Sequence, residues 1–121
     1  MNTKSPECWA SDPQARAIRV ELAPDHSITL PYPHFAYAEL TGDGPDQTLK
    51  LVFATHEVVV RGRALHRVEA AVHQFELSWI APLPDRVRPT VPQGQPFIRE
   101  VRIIAVGGTE NELASTDDTG A

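Results

Sequence analysis

Apolar and polar positions alternate one by one through much of this chain, and the alternation breaks in one place. Residues 15–22 read ARAIRVEL, with Ile18, Val20 and Leu22 on one side and Arg19 and Glu21 on the other. A period of two in residues of this kind predicts a half-buried strand. APDHS, residues 23–27, supplies turn formers. Ile28 and Leu30 then share a face. A hairpin that sets Leu22 opposite Ile28 and Val20 opposite Leu30 buries these side chains together. Pro31 and Pro33 lack amide donors, so the next strand, from His34 to Leu40, is expected to start irregularly or at a sheet edge. In it Phe35 and Tyr37 share one face and Ala36, Ala38 and Leu40 the other. TGDGPDQ, residues 41–47, reads as a loop.

The stretch from Leu49 to Arg61 alternates again, but its inward set changes character halfway. A tight turn at Thr55-His56 restores one apolar face. It pairs Phe53 with Val58, Leu51 with Val60 and Lys50 with Arg61. Gly62 ends the strand, and the period changes. Leu65, Val68, Val72 and Phe75 fall at i, i+3, i+7 and i+10, the stripe of a helix over residues 64–75. No good N-cap residue precedes it, and about three turns need a sheet to hold them. FELSWIAP returns to period two, with Leu77, Trp79 and Ala81 on one face. PLPDRVRPTVPQGQP, residues 82–96, reads as a proline-rich loop, and residues 97–106 as the last strand. Ile103-Ile104 is expected centrally in the sheet or against a partner.

Strands, one helix and strands again, with short antiparallel connections, define an α+β domain. The expectation is a strongly bent antiparallel sheet or partly open barrel of about six strands with one covering helix, residues 64–75. The domain spans residues 15–106. Residues 1–14 are expected to be a flexible segment and residues 107–121 a disordered acidic tail.

The block LKLVFATHEVVVRGRALHRVEAAV, with FELSWIAPLP and PFIREVRI after it, resembles a group of small uncharacterised bacterial proteins. The likeness lies in the threonine-histidine turn, the V-x-V-x-G-R-x-L strand end and the helix that follows, over roughly residues 28–105. It implies a single bacterial domain and no particular activity.

Composition narrows the classes further. At 121 residues, 41% hydrophobic and 22% charged, the chain has the size and make-up of one globular domain. A body this small is marginally stable alone, which favours self-association. The single cysteine, Cys8, excludes an internal disulfide, and without a signal-peptide pattern the expected setting is a reducing cytoplasm. No apolar run reaches the ~20 residues of a membrane helix. The net charge is −5, but the ten bases and ten acids of residues 15–106 cancel, so the excess belongs to the ends.

Candidate chemistry is sparse. Arg61, Arg63 and Arg67 fall within seven residues, with Arg86, Arg88, Arg99 and Arg102 later. Guanidinium groups suit phosphate, so this is the anion or nucleic-acid candidate, with Phe35, Tyr37 and Trp79 for stacking. Its plain alternative is surface arginines in ordinary salt bridges, which the neutral body favours. Glu69 and His73, four apart on the helix, are a weak metal candidate, with His66 a further turn away. HRVEAAVH matches neither common helical zinc motif. A solvated helix face is the simpler account. No Ser, Cys or His sits in a nucleophile pattern, and Cys8 reads as an inert thiol. Trp79, Ile98 and Ile104 are the interface candidates. The reading is therefore a non-catalytic protein-interaction or assembly module without cofactor, forming a homodimer. The alternatives are an anion or nucleic-acid binder and, last, a metal-dependent activity.

Overall fold

The computed structural model of the chain describes residues 7–106. In chain order the elements are β1 (Trp9–Ser11), β2 (Ala17–Ala23), β3 (His26–Pro31), β4 (Phe35–Asp43), β5 (Asp46–Phe53), β6 (His56–Arg63), α1 (His66–His73), β7 (Leu77–Ile80) and β8 (Phe97–Ala105). Short 3-10 turns span Tyr32–His34 and Asp85–Thr90. The strands form two four-stranded sheets, ordered β1-β7-β2-β3 and β4-β5-β6-β8. All neighbours are antiparallel except β2 and β7. One apolar core joins both sheets to the helix, with Ile18, Val20, Leu49, Leu51, Val58, Val60, Leu65, Val68 and Ile80 fully buried in it.

The α+β composition and the helix agree with the sequence pattern; the single sheet of about six strands does not. Two features divide it. β7 leaves its sequence neighbours and joins β2 in parallel. The segment expected to be flexible supplies β1, which pairs with β7 and brings Cys8 to 1% exposure. Residues 1–6 and the acidic stretch 107–121 lie outside the described residues.

Both hairpins keep the expected faces with a register two residues away. Val20 pairs with Ile28 and Ile18 with Leu30 across β2–β3. Leu51 pairs with Val58 and Leu49 with Val60 across β5–β6, so Ala54-Thr55 makes the turn. Side chains alternate with period two, so an even shift leaves every residue on its side. It also moves Lys50 away from Arg61: Lys50 faces Val59 across the ladder and forms a 3.7 Å ion pair with Glu39.

Three further expectations are corrected. The 41–47 loop is a hairpin in which β4 and β5 pair as far as Asp43 and Asp46, with Gly42 and Gly44 in the left-handed region at φ 88° and 62°. A bulge between Phe35 and Tyr37 breaks the alternation, so Phe35 packs against the core while Tyr37 turns outward at 50% exposure. The proline-rich stretch 82–96 is not structureless: its 3-10 turn precedes Val91, which is 5% exposed.

The helix starts and stops by unexpected means. One amide at its start is met from another element: the N–H of the N-cap residue Leu65 donates to Gln47 Oε1 at 2.8 Å. At its end the Phe75 N–H donates to the Val72 carbonyl at 2.9 Å and the Glu76 N–H to the Ala71 carbonyl at 2.8 Å. This is the Schellman pattern, whose left-handed position glycine usually fills. Here Phe75 fills it at φ 58°. Leu65, Val68 and Val72 are buried as expected, whereas Phe75 is 55% exposed.

Candidate functional site

The arginines of the proposed anion cluster do not converge: Arg61 and Arg63 have separate partners. Arg61 on β6 reaches Glu100 on β8 at 4.0 Å. Arg63 donates to the Val91 carbonyl at 2.9 Å, and its guanidinium lies 5.7 Å from the Phe97 ring centre. Arg67 is exposed on α1. Arg63 has a different companion, Arg88, whose guanidinium is 5.2 Å from the same ring. Cation–π contact and a hydrogen bond to the loop backbone hold residues 85–91 against the β6–β8 end of the second sheet. Arg63, Arg88, Pro89, Val91 and Gln93 line a cleft of about 380 Å³ there. Asp85 accepts from Arg88 at 2.6 Å and compensates its charge.

The three interface candidates also separate. Ile98 has no exposed surface and belongs to the core, so its proposed interface role is corrected. The bulge opposite Gly62 turns Ile98 to the core face, whereas its neighbour Phe97 is buried beneath Arg63 and Arg88. Trp79 lies on the first sheet, half-buried, with its indole N–H donating to Glu21 Oε1 at 3.0 Å. Ile104 is on β8, an edge of the second sheet, and is 44% exposed.

Ile104 belongs to a broader outer face. The register aligns Tyr37, Val52, Glu57 and Ile104 in one row across β4, β5, β6 and β8. The next row holds Glu39, Lys50, Val59 and Arg102, and the one after it Thr41, Thr48, Arg61 and Glu100. The opposite side of the same strands carries the buried Leu49, Leu51, Val58 and Val60. The face is thus a sheet surface with four apolar side chains amid charges of both signs. Cross-strand ion pairs tie Lys50 to Glu39 and Arg61 to Glu100, and Glu100 also pairs with Arg102 on its own strand at 3.9 Å.

Two clefts open elsewhere, the first where the sheets meet. One, of about 550 Å³, has Leu22, Ile28, Val101 and Ile103 in its lining and His26, His56 and Arg102 beside them. His56 Nδ1 and Thr55 Oγ1 share a 2.8 Å hydrogen bond. The other, of about 310 Å³, lies between α1 and β4 and is lined by Phe35, Ala38, Glu69, Val72, His73 and Phe75. Glu69 and His73, the weak metal pair, are thus brought together with aromatic neighbours. Among the described residues no group of three or more His, Cys, Asp or Glu side chains is arranged to hold a metal ion. Sequence reasoning missed the aromatic half of this cleft because Phe35 is turned inward by a bulge and Phe75 sits beyond the helix.

Cys8 is buried with its Sγ 3.4 Å from the Pro96 carbonyl, which accepts its S–H. Burial pushes the thiol up from 9.0 to about 11. The Tyr32 hydroxyl donates to the Leu77 carbonyl at 2.6 Å and is likewise pushed by burial to about 12. No helix among the described residues is long and apolar enough to cross a membrane. Comparison with protein-family models, with curated proteins and with solved structures finds no match.

Proposed function

We propose that the protein is a non-catalytic assembly module that pairs with a second copy of itself through the outer face of the second sheet. The observation that carries this reading is the composition of that face. Tyr37, Val52, Val59 and Ile104 offer apolar contact, and Tyr37 and Ile104 remain 50% and 44% exposed. Around them Glu39, Glu57 and Glu100 balance Lys50, Arg61 and Arg102. A two-fold interface sets a surface against itself, so it needs both signs of charge on one patch. A polyanion would instead favour an excess of bases.

Size sets the strength. Four strands ~4.8 Å apart and about eight residues of ~3.3 Å each make a face of roughly 500 Å². Two such faces bury roughly 1,000 Å², the lower bound for a specific interface, so the dimer is weak and concentration-dependent. The same reading places the module in a reducing cytoplasm, where Cys8 stays a thiol.

Sedimentation velocity of the full chain across a wide concentration range tests the proposal. The expected result is a mass that rises from monomer to dimer, and Ile104→Glu holds the chain at monomer with an unchanged far-UV spectrum. A wild-type chain that stays monomeric at every concentration overturns it. The competing anion reading is supported by the cleft between Arg63 and Arg88. It expects salt-sensitive retardation of an oligonucleotide, weakened by Arg88→Ala.

A further inference from the structure

The cleft between α1 and β4 has a chemistry that the sheet-face reading does not use. Its oddest wall is Phe75. A bulky side chain at the left-handed position of a helix end crowds its Cβ against the following carbonyl oxygen, a steric cost absent from the ordinary backbone regions. Glycine avoids that cost and is the common choice there. The ring is not placed there to enter the core, because it is 55% exposed. What the ring does is complete an aromatic cluster. It stands 5.5 Å from Tyr32 at 75° and 6.3 Å from Phe35 at 82°. Phe35 and Phe75 are therefore nearly perpendicular, like two adjoining walls. Ala38 and Val72 add apolar lining, and Glu69 and His73 bring the polar groups from successive turns of α1.

We propose that this cleft binds an ammonium group carried on a short alkyl chain. Aromatic rings attract a cation through their quadrupole, and more strongly where water is partly excluded. The Glu69 carboxylate adds a full countercharge, and neither Lys nor Arg lines the cleft. A bare metal ion fits less well, since the lining offers two ligating side chains and otherwise hydrocarbon. An anion meets a carboxylate. A neutral apolar molecule leaves that carboxylate without its partner. The volume, about 310 Å³, is at the small end of ligand sites and matches a single side-chain-sized group. Such a group occurs on free alkylamines and on lysine side chains.

The test is titration of the ¹⁵N-labelled full chain, followed through the amide signals of residues 69–76. The probes are n-butylammonium chloride, a capped lysine amide, n-butanol and sodium butyrate. Saturable shifts with either ammonium probe support the site, and the tighter of the two identifies the source. Glu69→Gln weakens the binding about tenfold, as does Phe75→Leu, which keeps apolar bulk and removes the ring. Phe75→Ala provides a second ring deletion at an exposed position. Butanol binding as tightly as butylammonium, butyrate binding better, or Glu69→Gln without effect each overturns the proposal. Ile104→Glu leaves the binding intact, so failure of the dimer and failure of this site are separate results.

Discussion

At Gly62 the constraint is space rather than backbone freedom. The residue lies on β6 between two paired strands, facing Gln47 on one side and Ile98 on the other. A Cβ there would meet the Phe97 carbonyl oxygen at 1.9 Å. That atom belongs to backbone in a ladder and cannot swing aside, so the strand pair itself must separate. Gly62→Ala is expected to cost about 3 kcal/mol or more, the upper end of overpacking effects, read as a lower urea midpoint with unchanged slope. Cys8 gives a second residue-level prediction. The folded thiol holds its proton to about pH 11, whereas an exposed one releases it near 9.0. The stability this contributes is whole below pH 9.0 and is lost as pH rises towards about 11. Cys8→Ala should flatten the alkaline fall in stability across that window. The native thiol should also react with a disulfide reagent at pH 8 far more slowly than the urea-unfolded one.

At the scale of the element, α1 shows how a helix can be foreseen without its ends being understood. The change from period two to the spacing of Leu65, Val68 and Val72 is local, and those residues are buried as the spacing demands. The caps are not local. The donor at the start is met by a glutamine 18 residues earlier, on β5. No stretch of sequence around residue 65 contains that information. Gln47→Ala is expected to destabilise the fold by about 1 kcal/mol, the usual value of a lost cap. Gln47→Glu retains the acceptor oxygen and should recover most of it. Thermal unfolding of the two variants separates a capping role from packing by the side-chain stem. The end of the helix was obscured for the opposite reason: phenylalanine gives no sign of the left-handed turn that a glycine would have advertised.

Across the whole molecule, the inward and outward sets of each strand were legible, while the partners of the strands were legible only within hairpins. Even there the pairing moved by two. Val20 meets Ile28 rather than Leu30, and Leu51 meets Val58 rather than Val60. Turn geometry chooses among registers that bury the same face, and neither Pro24-Asp25 nor Ala54-Thr55 is a strong turn signature. Bulges at Ala36 and beside Gly62 account for the side chains that alternation misplaced. The candidate site suffered most, since it joins two separate stretches, Phe35 and Ala38 on β4 with Glu69 to Phe75 on α1 and the turn after it. The sheet ending in β1 lay furthest from reach. β7 pairs with β2 across about half the chain, and β1 is three residues long.

That short strand makes the strongest claim about the assembled fold. β1 closes the outer edge of β7, and hydrogen bonds continue past it on both sides. The Asp12 N–H donates to the Glu76 carbonyl at 2.7 Å and the Ala81 N–H to the Cys8 carbonyl at 2.8 Å. Ser78 Oγ adds a 3.2 Å bond to the Ala10 carbonyl. Removing residues 1–12 would strip these, uncover the space filled by Cys8, and leave β7 as a bare edge. Hydrogen bonds near 1 kcal/mol each and the lost apolar burial together predict a cost of roughly 3 kcal/mol. An exposed strand edge also invites pairing between chains, so light scattering should rise on warming. A flexible appendage would behave otherwise: its loss would change neither the urea midpoint nor the scattering. Equal midpoints for the truncated and full chains would therefore remove β1 from the fold and return the leading segment to a tail.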